Sequence, residues 1–172
     1  QVGYVYRLSY NYAQKYLLEL SGRYDGHYYF APGKKYGFFP AFSLGWRISE
    51  ESFMDEIDEI YYMKLRTSWG QSGNLAGGPN QYSSSLVLYG NSFPFGNTPT
   101  QGVYASREGN PDITWEKAEK FNVGLDIAIF EGAISAEVDY FHEERDNMLL
   151  SPAATVPIEY GIALGQVNAG KM

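Results

Sequence analysis

Apolar and polar residues alternate with a period of two through much of this chain. From Tyr4 to Tyr12 every even-numbered residue is Tyr or Leu, whereas the odd-numbered ones include Arg7, Ser9 and Asn11. Successive side chains of a β-strand point to opposite faces of its sheet, so the pattern predicts a strand with one apolar and one polar face.

The same alternation recurs in five further segments, and each predicts another strand of this two-faced kind. These segments are 16–24, 41–48, 63–70, 121–129 and 134–140. The sequence therefore predicts an all-β chain of about six antiparallel, up-and-down strands that belong to one domain over residues 1–172.

Short connections join some of these strands. Residues 13–15 and 131–132 are predicted to form tight turns. The acidic segment 49–61 has apolar residues near helical spacing, and we expect one or two helical turns there, with Ser52 and Asp55 forming a capping box.

Three longer loops lie near 25–38, 71–116 and 149–172. We expect a strand within the second, at Leu86–Tyr89, and another near the end of the third. Because each antiparallel strand reverses the chain, all three loops fall at one end of the sheet and the short connections at the other. This asymmetry of the connections is typical of outer-membrane β-barrels. The alternation of residues alone would also fit a soluble antiparallel sheet with one solvent-exposed face.

Composition supports the membrane interpretation without requiring it. The chain has 16 Tyr, 10 Phe and 19 Gly, a composition that suits short strands and turns better than helices. It has no run of 18 apolar residues, but a barrel strand crosses a membrane with about 9 to 11 alternating ones. Six strands cannot close a membrane barrel, so the remaining strands must come from elsewhere.

Charge and cysteine content narrow the choice of partners and compartment. A net charge of -7 leaves no basic stripe for phosphates, so we expect no nucleic-acid partner. The absence of Cys is compatible with an oxidising periplasm. The chain opens on Gln1 in a strand-like pattern, which we interpret as an internal fragment whose signal peptide lies outside it.

Three strings of residues resemble the barrel half of the SusC/RagA family of TonB-dependent outer-membrane transporters, in the family's order and at similar spacing. They are RYDGHYYFAPGKKYGFFPAFSLGWRISEESF at 23–53, KLRTSWGQSGN at 64–74 and NPDITWEKAEKFNVGLDIAIFEG at 110–132. Two further strings resemble the family less closely, VDYFHEERDNMLL at 138–150 and the terminal NAGKM.

The resemblance implies that the chain is part of a 22-stranded transmembrane β-barrel in a bacterial outer membrane. It implies TonB-dependent import of oligosaccharides, or of peptides, together with a SusD-like surface lipoprotein. The lipid bilayer and the TonB complex are the other implied partners. The plug domain and the TonB box of the family are absent from these residues, so coupling to TonB rests on the resemblance.

Two sets of residues are candidates for function. Charges that share the polar parity of the strands must avoid lipid, because a base at the midplane costs about 2 to 4 kcal/mol. They are therefore predicted to face the lumen, where they pair with each other, with a plug or with ligand: Arg7, Glu19, Arg23, Arg47, Arg66, Glu137 and Asp139.

Aromatic residues of the loops form the second set. Their flat apolar faces can stack on sugars or pack against peptides, contact a lid protein, or pack within the loops themselves. The candidates for ligand or lid contact are His27, Tyr28, Tyr29, Phe30, Tyr36, Phe38, Tyr82, Tyr89 and Tyr104.

No residues suggest catalysis. The chain's two histidines, His27 and His142, lie far apart in sequence and outside any triad motif. We expect no enzyme activity, no cofactor and no metal. Two alternatives remain open at this point, a soluble carbohydrate-binding β-sandwich and a passive outer-membrane barrel or adhesin.

Overall fold

The computed structural model describes residues 1–152 and 157–172, apart from the side chains of residues 89–93, 95 and 158. These residues form strands, short 3₁₀ turns and loops. The strands are β1 (Val2–Tyr12), β2 (Tyr16–Gly26), β3 (Tyr36–Arg47), β4 (Ile60–Asn74), β5 (Ser85–Phe95), β6 (Thr98–Glu108), β7 (Glu116–Ile129), β8 (Ile134–Asp146), β9 (Met148–Leu150), β10 (Ala163–Leu164) and β11 (Val167–Gly170).

Six of the strands form one antiparallel sheet in the order β1-β2-β3-β4-β7-β8. Each strand of this sheet pairs with the next one along the chain, except that the β5–β6 hairpin is inserted between β4 and β7. The predicted six-stranded, up-and-down architecture is confirmed.

Both tight turns are built from residues in the left-handed region. Ala13 and Gln14 have φ values of 50° and 58°, and Phe130 and Glu131 have values of 52° and 55°. Two consecutive positive φ angles are characteristic of the type I′ turn, whose twist matches that of the strands it joins. These turns and the 48–59 connector lie at one end of the sheet, which we call the turn end, and the long connections lie at the other, the loop end.

The strand register gives the sheet two continuous faces. Leu8 lies beside Leu20, which lies beside Phe42; one residue further along, Ser9 lies beside Glu19. The first row belongs to an apolar face and the second to a polar face, and the same parity holds through β4, β7 and β8. Many side chains of the apolar face are exposed, among them Tyr4, Leu8, Tyr12, Leu44, Val138 and Tyr140.

A small hydrophobic core lies on the polar side of the sheet near its loop end. It consists of Phe30 from the 27–35 loop, Phe39 from β3, and Ile113 and Trp115 from the segment before β7. The core thus joins two loops to the sheet rather than covering a whole face.

The connections differ in detail from those predicted. The first loop is shorter than 25–38, because β2 extends to Gly26 and β3 begins at Tyr36. The second, predicted at 71–116, holds the expected strand at Leu86–Tyr89 within β5 and also the unexpected β6. The third, predicted at 149–172, holds short strands, and the backbones of Met172 and Arg145 exchange two hydrogen bonds.

The 48–59 connector contains two 3₁₀ turns, Ile48–Glu50 and Ser52–Met54, as the helical spacing predicted. The capping box at Ser52 and Asp55 is wrong. The cap of the second turn is Glu51, which makes no side-chain hydrogen bond to the turn, because its carboxylate is engaged elsewhere.

Candidate functional site

The polar face carries a concave surface of about 480 Å³ near its centre. Five strands contribute to it through side chains that are mostly hydroxyl, amide or charged groups. The lining includes Ser9, Glu19, Ser43, Lys64, Arg66 and Asn122. Apolar atoms supply most of the lining surface, and these polar groups add hydrogen-bond partners, a combination found in sites that bind small solutes. We call it the polar concavity after the face on which it lies.

The register places all seven predicted lumen charges on the polar face. Several are paired with each other or with a neighbour. Arg7 lies 3.4 Å from Glu19, and Arg23 lies 3.1 Å from Asp25. Their exposure to a lumen stays a prediction, since the sheet alone encloses no space.

Arg66 organises the densest group of charges on this face. Its guanidinium lies 3.0 Å from Asp126 and 2.8 Å from Asp139, and it also contacts Glu137. Gly124 makes room for the group, because a Cβ at that position would lie 2.7 Å from Cζ of Arg66 and 2.6 Å from Oδ1 of Asp139. One cation thereby holds together three carboxylates of two neighbouring strands.

The 27–35 loop begins with an aromatic cluster of His27, Tyr28 and Tyr29. The His27 ring stacks on Tyr28 at 4.8 Å and meets the edge of Tyr29 at 4.3 Å, and Nδ1 of His27 accepts a hydrogen bond from the backbone N–H of Tyr29. His27 is buried while Tyr28 is exposed. The side chain of Tyr28 is therefore accessible from outside the loop, and its contact with a ligand stays a prediction.

Burial lowers the pKa of His27 from its ordinary value of 6.5, because removal from water disfavours the imidazolium. A pKa that is lower in the folded loop stabilises the loop fully above pH 6.5 and less as the pH falls through the folded-state pKa. We predict that amide hydrogen exchange in residues 27–35, corrected for the intrinsic rate, is faster at pH 5 than at pH 7.5. His27→Gln should remove this difference and His142→Gln should leave it intact; an equal difference in all three proteins would contradict the assignment.

Phe30 is a correction to the sequence prediction. It is 1% exposed and packs on Trp115 at 5.1 Å between ring centroids, so no ligand reaches it in this structure. Trp115 also packs against Phe39 and donates a hydrogen bond from Nε1 to the carbonyl of Lys35. Phe30 therefore anchors the loop.

Glycines make this packing possible. A Cβ at Gly73 would lie 1.9 Å from Cζ of Phe39. We predict that Gly73→Val costs about 1–3 kcal/mol through overpacking and exposes the 27–35 loop to limited proteolysis. Gly78→Val is the matched control, since a Cβ there meets only Nε2 of Gln81 at 3.7 Å; equal protection of both variants would show that the packing is not tight.

Tyr36 and Phe38 lie on the apolar face, and their contact with ligand or lid stays a prediction. Tyr36 stacks on Tyr24 at 5.1 Å, and Phe38 on Tyr6 at 6.4 Å. They belong to an aromatic row at the loop end of that face. Such rows are typical of the interface between membrane and water.

The candidates of the second loop lie apart from the polar concavity. Tyr82 is half-buried before β5, and Tyr104 is partly exposed on β6. Tyr89 lies on β5, but its side chain is outside the described part of the structure. Their contact with ligand or lid remains a prediction.

A polar junction that no residue pattern predicts lies at the turn end, around Glu51. Its carboxylate accepts hydrogen bonds from the Tyr16 hydroxyl at 2.7 Å and the Trp46 indole at 3.0 Å, and pairs with Lys15 at 3.2 Å. These hydrogen bonds hold the pKa of Glu51 below its usual value, and the bond from Tyr16 contributes most to the lowering. The junction fixes two aromatic rings of the apolar face at its turn-end border.

Across residues 1–152 and 157–172, no three His, Cys, Asp or Glu side chains are arranged as a metal site. Within the same ranges no helix is long and apolar enough to cross a membrane.

A family model described as the β-barrel of TonB-dependent receptor-like proteins matches residues 2–172. Among curated proteins, TonB-dependent receptor P26 of Formosa agariphila is 36% identical over 166 residues, which cover 96% of this chain and 16% of that protein. TonB-dependent receptor SusC of Bacteroides thetaiotaomicron is 30% identical over 174 residues, which cover 99% of this chain and 17% of that protein.

Solved structures give the same result. The RagAB peptide importer in its open-open state superposes with a TM-score of 0.83 at 25% identity, covering 98% of this chain and 18% of that one. Its closed-closed state gives a TM-score of 0.82. This chain therefore spans less than a fifth of the length of these similar proteins.

Proposed function

This chain belongs to the TonB-dependent receptor-like β-barrel family, and from that premise we propose that it forms part of an outer-membrane wall for TonB-dependent import of oligosaccharides. In this proposal the apolar face meets lipid and the polar face lines the lumen. Peptides are the less favoured cargo.

The drift of the apolar band across the sheet is the observation that carries the proposal. On β1 the outermost aromatic residue of the band towards the loop end is Tyr4, with Val2 beyond it, and on β8 it is Tyr140, beyond which His142 and Glu144 follow on the same face. The residues paired with Tyr140 across successive strands include Leu44 on β3 and end at Tyr10 on β1, which lies about six residues from Tyr4. The band edge therefore moves along the strands as it crosses them.

This drift has the size that a membrane barrel requires. With about 3.4 Å per residue and about 4.8 Å between strands, a shift of about six residues over five strand spacings corresponds to a tilt of about 40°. Strands of outer-membrane barrels tilt by about 35–45° against the membrane normal. When the strands tilt by this angle, a band that runs diagonally across the sheet lies parallel to the plane of the bilayer.

Exposure of the apolar face argues against the soluble β-sandwich, whose two sheets bury their apolar faces against each other. Here Leu8 is 62% exposed and Val138 is 66% exposed. Lipid as the surrounding solvent accounts for this exposure, and water does not.

The cargo and the partners rest on the relatives. The oligosaccharide cargo rests on the resemblance to the SusC/RagA family, in which SusC is a TonB-dependent receptor. The alternative cargo rests on RagAB, which is a peptide importer. We propose that the parent of this chain pairs with a SusD-like surface lipoprotein, is driven by the TonB complex and performs no covalent chemistry. Tyr28 and the polar concavity are then the surfaces closest to the cargo.

Extraction of the full-length protein from outer membranes in mild detergent tests this function. We expect a surface lipoprotein to co-purify in stoichiometric amount and the complex to bind oligosaccharides more tightly than peptides. Uptake should cease in cells that lack TonB. Partner-free protein with uptake that is independent of TonB would instead indicate the passive barrel.

A further inference from the structure

Two cations of the polar face, Arg47 and Lys64, differ from the others there. Within the described residues neither forms an ion pair or a side-chain hydrogen bond. Every other cation on that face of the six-stranded sheet has a carboxylate within 3.4 Å: Arg7, Arg23, Arg66, Lys120 and Arg145.

The placement of the two cations is electrostatically unfavourable. Arg47 on β3 lies directly opposite Lys64 on β4, and like charges in that arrangement repel each other. Nε of Arg47 and the hydroxyl of nearby Ser49 are shielded from solvent without a hydrogen-bond partner. Shielded donors without acceptors cost free energy, which an anion at this place would recover.

The nearest carboxylates are already engaged. Asp126 is the register partner of Lys64 on β7, yet its side chain points to Arg66 at 3.0 Å. Glu51, in the adjoining connector, accepts from Lys15 and from two aromatic donors. Within the described residues no carboxylate forms an ion pair with Arg47 or Lys64.

Space for an anion exists beside Lys64, the register partner of Arg47. Lys64 lines the polar concavity together with Ser43, Gly45 and Ser68. Gly45 leaves the space beside Lys64 open, because a Cβ at position 45 would lie 3.3 Å from Cε of Lys64. A group that enters the concavity thus reaches the ammonium at its turn-end border.

We infer that Arg47 and Lys64 form an anion site on the polar face and that its occupant is a carboxylate. Arg binds carboxylates through two parallel hydrogen bonds, and Lys adds a point charge. The three carboxylates around Arg66 lie on β7 and β8, and they would repel a dianion more strongly than a single carboxylate. This inference rests on the proposed function in that the polar face must enclose a lumen.

The carboxylate can belong to another segment of the same polypeptide or to an acidic cargo, and one experiment separates the two sources. The full-length protein is treated with a carbodiimide, which joins an amine to a carboxylate in direct contact as an amide with loss of water. Mass spectrometry then identifies the partner of Lys64. One sample holds the protein alone, and the second also holds an oligogalacturonate as a carboxylate-bearing probe.

A link from Lys64 to an acid outside residues 1–172 supports the site and shows that the polypeptide fills it. A link that forms only with the probe supports the site as one for cargo. In either case Arg47→Gln should lower the linked fraction about tenfold, as loss of a charge-assisted hydrogen bond does, and Arg145→Gln should not. Two results together would overturn the inference. Lys64 would form no link, or a link only to Asp126, and it would be acetylated as fast as Lys117 on the opposite face. Uptake and co-purification report on the proposed function separately.

Discussion

Replacement of Leu8 by arginine is expected to lower the free energy of unfolding of the full-length protein in lipid by about 2–4 kcal/mol, the cost of a base at the midplane of a barrel wall. Leu8 lies midway along the aromatic-bordered band of β1, between Tyr4 and Tyr12. If the apolar face meets lipid, the new guanidinium must leave water entirely or distort the bilayer around it.

The matched control is Ser9→Arg on the same strand. Ser9 lies on the polar face, and its hydroxyl is 3.4 Å from Glu19, so an arginine there gains a carboxylate and remains in water. Urea unfolding in lipid vesicles, followed by Trp fluorescence, measures both variants. Equal stability of the two would show that the faces are not divided between lipid and water.

Loss of the Arg66 side chain is expected to have the second largest effect. Arg66→Gln leaves the carboxylates of Asp126, Glu137 and Asp139 close together without a cation, and like charges at such distances repel. The melting temperature of the folded barrel should fall by several degrees, and by more than it does for Asp139→Asn. Heat-induced change of gel mobility provides the measurement.

Removal of the repulsion should restore the lost stability. The triple variant Arg66→Gln, Glu137→Gln, Asp139→Asn keeps the shapes of the side chains and removes two of the three negative charges. It should melt at a higher temperature than Arg66→Gln alone. A lower melting temperature would mean that Arg66 acts through packing rather than through charge.

The alternation of residues predicted much of this fold because a period of two is a local property. It placed β1 to β4, β7 and β8 correctly and assigned Arg66, Glu137 and Asp139 to one face. Its failures have physical reasons. The apolar residues Val103, Tyr104 and Ala105 of β6 are consecutive, so this strand shows no alternation. Its hydrogen bonding to β5 stabilises it as a strand.

The loop aromatics were harder to place, because their positions depend on distant contacts. Phe30 is buried by Trp115, which lies 85 residues later in the chain, and no local pattern encodes such a contact. Tyr36 and Phe38 share the parity of Phe42, so an extension of the β3 pattern towards the loop would have placed them on the apolar face. Gly33, Lys34 and Lys35 directly before them resemble a loop and concealed that continuity.

Spin-label accessibility along β1 and β8 of the full-length protein in lipid vesicles tests the central claim most directly. The present chain contains no cysteine, so labels can be attached to single introduced cysteines once any others in the parent are replaced. Val5 and Phe141 are decisive positions, because both are apolar residues on the polar face. We predict that labels at positions 5 and 141 contact a water-soluble relaxation agent, while labels at positions 8 and 138 contact oxygen dissolved in lipid. Accessibility that follows the hydropathy of the native residue, or that is equal on both faces, would contradict a wall with lipid on one side and water on the other.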